Sequence, residues 1–253
     1  MIRRGRVVGE AEEPPSVLVV GVEQAGSENP SSSVEAALSD LELEVTDEER
    51  PRVLEMLKSH SKLWDGRLGQ VRGVEHRIPT VGEPIRQQPY RCGLKTREAV
   101  EQEIKRMSEL DVIEPATSEW AAPIVLIPKP DGSLRFCIDY RRLNALTVRD
   151  SYPLPRMDDC LDSLGTAQIF SALDANSGYW QLNVSEADRD KTSFTSHRGT
   201  FRFKRMPFGL VNAPATFQRA MDVLLSRALW KTAIVYLDDV IVFSKTVESH
   251  TRE

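Results

Sequence analysis

Two adjacent carboxylates, Asp238 and Asp239, interrupt an otherwise apolar stretch, TAIVYLDDVIVFSK, at residues 232–245. The runs on either side, Ala233–Tyr236 and Val240–Phe243, are short and rich in β-branched and aromatic residues. Each reads as a strand buried largely on both faces. The acids then fall at a tight turn, where aspartate is common, and an acidic hairpin turn is the simplest account of the pair taken alone. Electrostatics weighs against that account. Two carboxylates about 4 Å apart repel by roughly 4 kcal/mol at an effective dielectric near 20, so apolar arms hold them more readily around a bound cation. A third acid, Asp174, closes the strand-like run AQIFSALDAN (167–176), and by itself it too reads as a turn residue. Together, three hard oxygen donors on neighbouring strands suit a pair of divalent cations about 3.5–4 Å apart. One cation would lower the pKa of an attacking hydroxyl, and the other would stabilise a leaving pyrophosphate.

The elements that must position these acids follow from hydrophobic period and turn chemistry. TDEERPRVLEMLKSHSKLW (46–64) predicts a helix, with Thr46 able to cap it, acids in its first turn, and Val53, Leu54 and Leu57 on one face. Residues 65–94, rich in Gly, Pro and Arg, read as extended chain. TREAVEQEIKRMSELDVIEP (96–115) sets Val100, Ile104, Met107 and Leu110 at helical spacing and should end before Pro115. Residues 122–140 form two apolar runs joined by Pro-Asp-Gly, a hairpin signal. A second hairpin is expected over 192–210, turning at Arg198-Gly199, and then a helix over 213–230 with proline in its first turn. No internal repeat is found. The pattern is α+β: an antiparallel sheet with helices packed on one side.

The totals bound this reading. A chain of 253 residues with 40% hydrophobic and 28% charged residues is of ordinary globular composition. Its formal charge of −5 disfavours a polyanionic partner only on average. Residues 1–50 hold four arginines against twelve acids, a net of −8, whereas residues 89–253 hold 22 basic and 22 acidic side chains. A neutral body with local basic stretches can still bind phosphates. Residues 1–46, with Pro-Pro, GSENPSSS and scattered acids, predict a disordered acidic leader or spacer. Its one apolar patch, SVLVVGV (16–22), is too short to span a bilayer and follows acids, so neither a signal peptide nor a membrane partner is expected. Three spaced cysteines (Cys92, Cys137, Cys160) argue against a disulfide framework and fit a reducing compartment. The four histidines (His60, His76, His197, His250) are not paired as metal ligands and read as surface or satisfied residues.

Four segments resemble one family. PKPDGSLRFCIDYRRLN, LDANSGYWQ, RMPFGLVNAPATFQ and VYLDDVIVFSK, in that order, are similar to the fingers and palm of reverse transcriptases of Ty3/gypsy-type long-terminal-repeat retrotransposons. EHRIPTVGEPIRQQPYR (75–91) is similar to the segment that leads into the fingers, so the resemblance runs from about residue 47 to the end. It implies a right-hand polymerase fold with an antiparallel palm sheet packed on helices. The divisions would be a leader (1–46), a lead-in (47–94) and an incomplete fingers–palm body (95–253). It implies RNA-directed DNA polymerase activity, with template, primer and deoxynucleotides as partners and two Mg²⁺, or Mn²⁺, as cofactors.

Residue by residue, the resemblance makes Asp174, Asp238 and Asp239 the catalytic, metal-binding carboxylates and adds the backbone carbonyl of Ala175. Lys129 and Arg135 would contact the triphosphate. Such a pair suits that task, since arginine offers a fork and lysine a point charge, although solvated hairpin charges are the plainer reading of both. Tyr179 would exclude a 2′-hydroxyl; a packed core tyrosine is its plainer reading, and the two roles are compatible. Phe208 and Gly209 lie on the loop lining the nucleotide pocket. Retroviral enzymes usually carry Gln where Phe208 stands, so contacts there should be apolar. Gln218 would face the template–primer. The resemblance further implies a thumb and ribonuclease H domain beyond Glu253, and a cytoplasmic retrotransposon particle as the setting. No Asp-Ser/Thr-Gly triplet of an aspartic protease occurs. The chain alone is therefore expected to be a feeble, aggregation-prone polymerase. The alternative is a truncated or domesticated module that binds nucleic acid or a partner without turnover.

Overall fold

The computed structural model describes residues 16–20, 42–43, 45–63, 67–91, 93–130 and 132–252. In chain order its first elements are β1 (Ser16–Val20), β2 (Glu42–Leu43), α1 (Arg50–Ser59), β3 (Glu75–His76), α2 (Leu94–Glu109), β4 (Ile113–Pro115), β5 (Ala122–Pro128) and β6 (Leu134–Ile138). Next come α3 (Arg141–Leu146), α4 (Met157–Leu164), β7 (Ile169–Asp174), β8 (Asn183–Val184), β9 (Phe194–Ser196) and β10 (Gly199–Phe203). The last are α5 (Ala213–Leu224), β11 (Ala233–Tyr236), β12 (Asp239–Ser244) and α6 (Val247–His250). Contacts divide the chain into two units, one from the described parts of 1–67, 155–176 and 221–253, the other from 68–154 and 177–220.

The first unit is built on a five-stranded sheet ordered β11-β12-β7-β1-β2. Strands β11, β12 and β7 pair antiparallel, as their apolar runs predict. The sheet as a whole is mixed, because β1 joins β7 in parallel and β2 returns antiparallel to β1. The reading of 1–46 as a leader falls mostly outside the described residues, but it placed no element there and two strands now lie in it. The reason is local. SVLVV is the one β-branched apolar run in that stretch, and the free edge of β7 offers it a ladder of unpaired backbone groups.

Helices cover both faces of this sheet, not the single face expected. Along a strand, alternate side chains point to opposite faces. Ile169 and Leu173 of β7 pack with Val53 and Leu57 of α1 and Val247 of α6. Phe170 of β7 packs with Phe243, Ile234 and Cys160 of α4. α1 begins later than its sequence signal, at Arg50, with Glu49 at its N-cap making no side-chain cap. Thr46 closes the turn before it, accepting the Glu49 N–H on Oγ1 (3.4 Å) while its hydroxyl donates to Glu49 Oε2 (2.7 Å). On the α1 face, buried His250 places Nε2 2.7 Å from Ser171 Oγ and Nδ1 3.0 Å from Ser244 Oγ. One imidazole thus ties β7 to β12.

The second unit is built on a sheet ordered β4-β10-β9-β5-β6, antiparallel except for the β5–β9 pair. Val100, Ile104 and Met107 of α2 pack on it with Ile113, Ile124, Phe194 and Phe203. The fourth residue predicted for that stripe, Leu110, lies outside the helix and is exposed. Asp111, at φ 55°, turns the chain out of the helix so that Ile113–Pro115 can pair with β10. The Pro-Asp-Gly hairpin forms as expected, with Gly132 at φ 82° and Lys129 N–H donating to the Ser133 carbonyl at 2.8 Å. Cys137 and Cys160 are free thiols, and burial raises the pKa of both. Cys92 lies outside the described residues. Among the described residues no helix is long and apolar enough to cross a membrane.

A small parallel pair, β3 with β8, carries His76 into the interior, where its Nδ1 lies 2.8 Å from Thr216 Oγ1. Burial lowers its pKa from 6.5 to about 4, against the opposing pull of Asp188 and Asp150. Below pH 6.5 the unfolded chain takes up a proton that the folded chain refuses until about pH 4. Stability should therefore fall as pH drops through that window, by on the order of 3 kcal/mol at about 1.4 kcal/mol per unit. Urea unfolding of the protein and of His76→Asn from pH 7 to 4 checks this. The variant should lose correspondingly less, and parallel pH profiles would contradict the assignment.

Candidate active site

Asp174 is the last residue of β7 and Asp239 the first of β12, and the register pairs them directly across the two strands. Directly opposed residues share a sheet face, with Cβ atoms about 4.5–5.5 Å apart. Tyr236 is paired to Asp239 from β11, so it shares that face as well. The same face carries Phe170 and Phe243 towards α4, so the carboxylates sit at the end of an apolar stripe.

Asp238 lies in the two-residue turn between Tyr236 and Asp239. Its partner in the turn, Leu237, has φ 56°, a left-handed conformation costing roughly 1–2 kcal/mol for a non-glycine residue. Strain of this kind is held where the surroundings over-determine the backbone. Asp238 is half-buried, and its Oδ1 is buried with no hydrogen-bond partner. Burial first, then the charges of Asp174 and Asp239, raises its pKa above the ordinary 3.8. An unpartnered buried carboxylate oxygen beside two further carboxylates fits a hard divalent cation. However, among the described residues no group of three or more His, Cys, Asp or Glu side chains is set closely enough to hold a metal ion. The triad shares one end of a sheet without closing into a ligand set, as mutual repulsion favours.

In the second unit, Tyr179 sits in a short 3₁₀ turn, Gly178–Gln181, entered through Ser177 at φ 48°. Its ring stacks on Phe208 with centroids 5.0 Å apart and planes 23° apart, and it tilts against Phe217 at 5.4 Å. Tyr179 is only 8% exposed whereas Phe208 is 51% exposed. Tyr179 is thus a packed tyrosine, and Phe208 presents the outer ring of the stack. Gly209 takes φ 90°, which disfavours any other residue there.

Sequence reasoning missed the residue that fixes this loop. Asn144 donates from Nδ2 to the Gly209 carbonyl (2.8 Å) and accepts the Val211 N–H on Oδ1 (2.9 Å). Asn212 does the like, donating to the Val148 carbonyl and accepting the Asp150 N–H. The available signal was an asparagine beside an apolar helical run, which is too common to single out.

Lys129 and Arg135 are both exposed on the β5–β6 hairpin. Arg135 pairs with Ile127, and Lys129, two residues on, meets Ser133, so alternation sets both basic side chains on one face. Gln218 lies in α5 and is fully buried, not on a surface that a nucleic acid can reach. One residue on, and so about 100° round the helix, Arg219 is only half-buried instead.

A mixed palm-like sheet with paired aspartates at its hairpin, and an antiparallel basic hairpin elsewhere, are the parts of a right-hand polymerase's fingers and palm. Residues 127–253 match the family described as reverse transcriptase (RNA-dependent DNA polymerase), and the chain belongs to it. It is 39% identical over 173 residues to the retrovirus-related Pol polyprotein from transposon opus of Drosophila melanogaster, covering 66% of this chain and 17% of that one. The corresponding polyprotein from transposon gypsy of the same species is 38% identical over 176 residues, 67% of this chain and 17% of that one. The chain thus spans about a sixth of the length of these relatives. A foamy viral protease-reverse transcriptase solved with an RNA/DNA hybrid superposes with a TM-score of 0.74 at 25% identity, over 82% of this chain and 28% of that one. The gypsy-type resemblance of the four motifs is borne out.

Proposed function

We propose that the chain is the fingers and palm of an RNA-directed DNA polymerase that adds deoxynucleotides to a primer 3′-hydroxyl on an RNA or DNA template. The observation that carries this reading is the cross-strand pairing of Asp174 with Asp239 beside the buried, unpartnered oxygen of Asp238. Asp174, Asp238, Asp239 and the Ala175 carbonyl would hold two Mg²⁺, or Mn²⁺, which when bound supply the positive charge that activates the primer hydroxyl and steadies the departing pyrophosphate. The chain's own residues do the positioning. Lys129 and Arg135, on one face of a hairpin, bind triphosphate oxygens. Phe208, backed by Tyr179, offers an apolar wall to the sugar and leaves no room for a 2′-hydroxyl. Gly209, held by Asn144, keeps that wall in place. The setting would be the cytoplasmic particle of a gypsy-type element.

Primer extension on an RNA template, with and without Mg²⁺, tests this. Addition of at least one templated deoxynucleotide is expected only with the metal. Binding of primer–template without any addition would instead favour a non-catalytic nucleic-acid module.

A further inference from the structure

A cleft of about 620 Å³ in the second unit is walled by residues of the 70–77 segment, by Asn183 of β8 and by Arg219 of α5. The parallel pairing of Glu75 with Asn183 and of His76 with Val184 brings the first two walls together, and Val71 N–H donating to the Gln181 carbonyl (2.8 Å) anchors them. Alternation turns His76 inward and leaves Glu75 and Arg77 outward. Gly73, at φ 82°, has open space around the position of a Cβ, so the backbone there is bare to an incoming group.

Three arginines, Arg72, Arg77 and Arg219, and one carboxylate, Glu75, line the cleft; with Asp150 paired to Arg219, one positive charge is left over. Arg219 is held in place: its Nη2 lies 2.7 Å from Asp150 Oδ2 and its Cζ 4.5 Å from the Tyr152 ring centroid, yet its side chain stays 40% exposed. Arg72 and Arg77 are exposed and form no ion pair among the described residues. Guanidinium forks match phosphate oxygens. Among the described residues no aromatic side chain lines the cleft, so they offer no platform on which a base could stack. Such a site can take a phosphate chain but cannot read bases.

We propose that this cleft is a sequence-independent contact for the phosphodiester backbone of a nucleic acid, made by Arg72, Arg77 and Arg219. It rests on the reading of the chain as a nucleic-acid-handling enzyme and assigns that partner a surface separate from the hairpin Lys129 and Arg135.

The test is fluorescence anisotropy of a labelled RNA/DNA hybrid with the full chain, across a salt series and without divalent metal. Arg72→Ala/Arg77→Ala is compared with Arg97→Ala/Lys105→Ala, which removes the same charge from α2. The cleft variant should bind more weakly to two unrelated hybrid sequences alike, and its slope of log affinity against log salt should be shallower by about two. The α2 variant should keep the wild-type slope. An unchanged slope in the cleft variant, or an equal fall in both variants, would overturn the cleft and leave the polymerase reading standing. Failure of the wild-type chain to bind any hybrid would overturn both. Calorimetry with inorganic pyrophosphate supplies the last arm. Binding that disappears in the cleft variant, while hybrid binding is unaffected, would assign the cleft to a free anion and overturn the strand proposal.

Discussion

Asp238→Asn should cut nucleotide incorporation by at least about 100-fold, since even residues that only support a metal ligand cost 10–100-fold when changed. The same variant should melt higher than the wild-type protein at neutral pH in the presence of a chelator. The two effects have one cause. Asp238 is half-buried beside Asp174 and Asp239, and its pKa is raised, by burial first and by its neighbours' charges second. A carboxyl whose folded pKa lies above its unfolded 3.8 destabilises the fold at every pH at which it is ionised. That penalty sets in as pH rises through the folded pKa and is gone below 3.8. Asparagine is nearly isosteric and carries no charge, so it escapes the penalty. The melting advantage of the variant should therefore shrink as the solution is acidified. Near-normal turnover by Asp238→Asn would remove Asp238 from the chemistry. A lower melting point at pH 7 would contradict the repulsion account even if activity were lost.

Tyr179→Val should raise the efficiency with ribonucleotides relative to deoxynucleotides by about 10–200-fold, the range that one small group in an apolar pocket is worth. The ring of Tyr179 supports Phe208 from behind at 5.0 Å and leans on Phe217 at 5.4 Å. Shortening it both opens space and lets Phe208 fall back, so the wall against a 2′-hydroxyl retreats. The substitution also empties a packed site, and large-to-small changes of this kind cost about 3–5 kcal/mol. Tyr179→Phe separates the two consequences, because it keeps the stacked ring. Its ratio of kcat/KM for the two sugars should stay at the wild-type value. A ratio unchanged in Tyr179→Val as well would show that discrimination arises elsewhere.

The acidic hairpin was legible because its two arms are apolar at consecutive positions and its turn is not, a contrast that depends only on neighbours in sequence. The Pro-Asp-Gly hairpin was legible for the same reason. Element ends were harder to place. The helix expected over 213–230 stops at Leu224, because Leu225 to Trp230 fold into turns closed by contacts with Ala233 that no local period announces. Leu110 has the right spacing for the α2 stripe, but the left-handed Asp111 ends the helix for the sake of a strand pairing made 90 residues later. SVLVV reads only as an apolar patch in a disordered leader, because the strand it pairs with, β7, lies about 150 residues further along the chain. Gln218 and Asn144 fail in opposite directions: the sequence shows a residue type, whereas its use depends on which way a helix faces and which loop passes by.

The pairing of Asp174 with Asp239 is also a matter of parity. Side chains on a strand alternate with a period of two, and β12 is attached to β11 through a turn only two residues long. Inserting or deleting one residue in that turn would exchange the odd and even positions of β12. After a deletion Val240, or after an insertion Asp238, would then stand opposite Asp174, and Asp239 would be turned towards the face covered by α1 and α6. Everything from Val240 to Ser244 would be inverted in the same stroke, with apolar and polar faces traded. The turn therefore admits substitutions but no change of length, and a homologue that carried one extra residue there would have to absorb it as a bulge to keep its acids on one side.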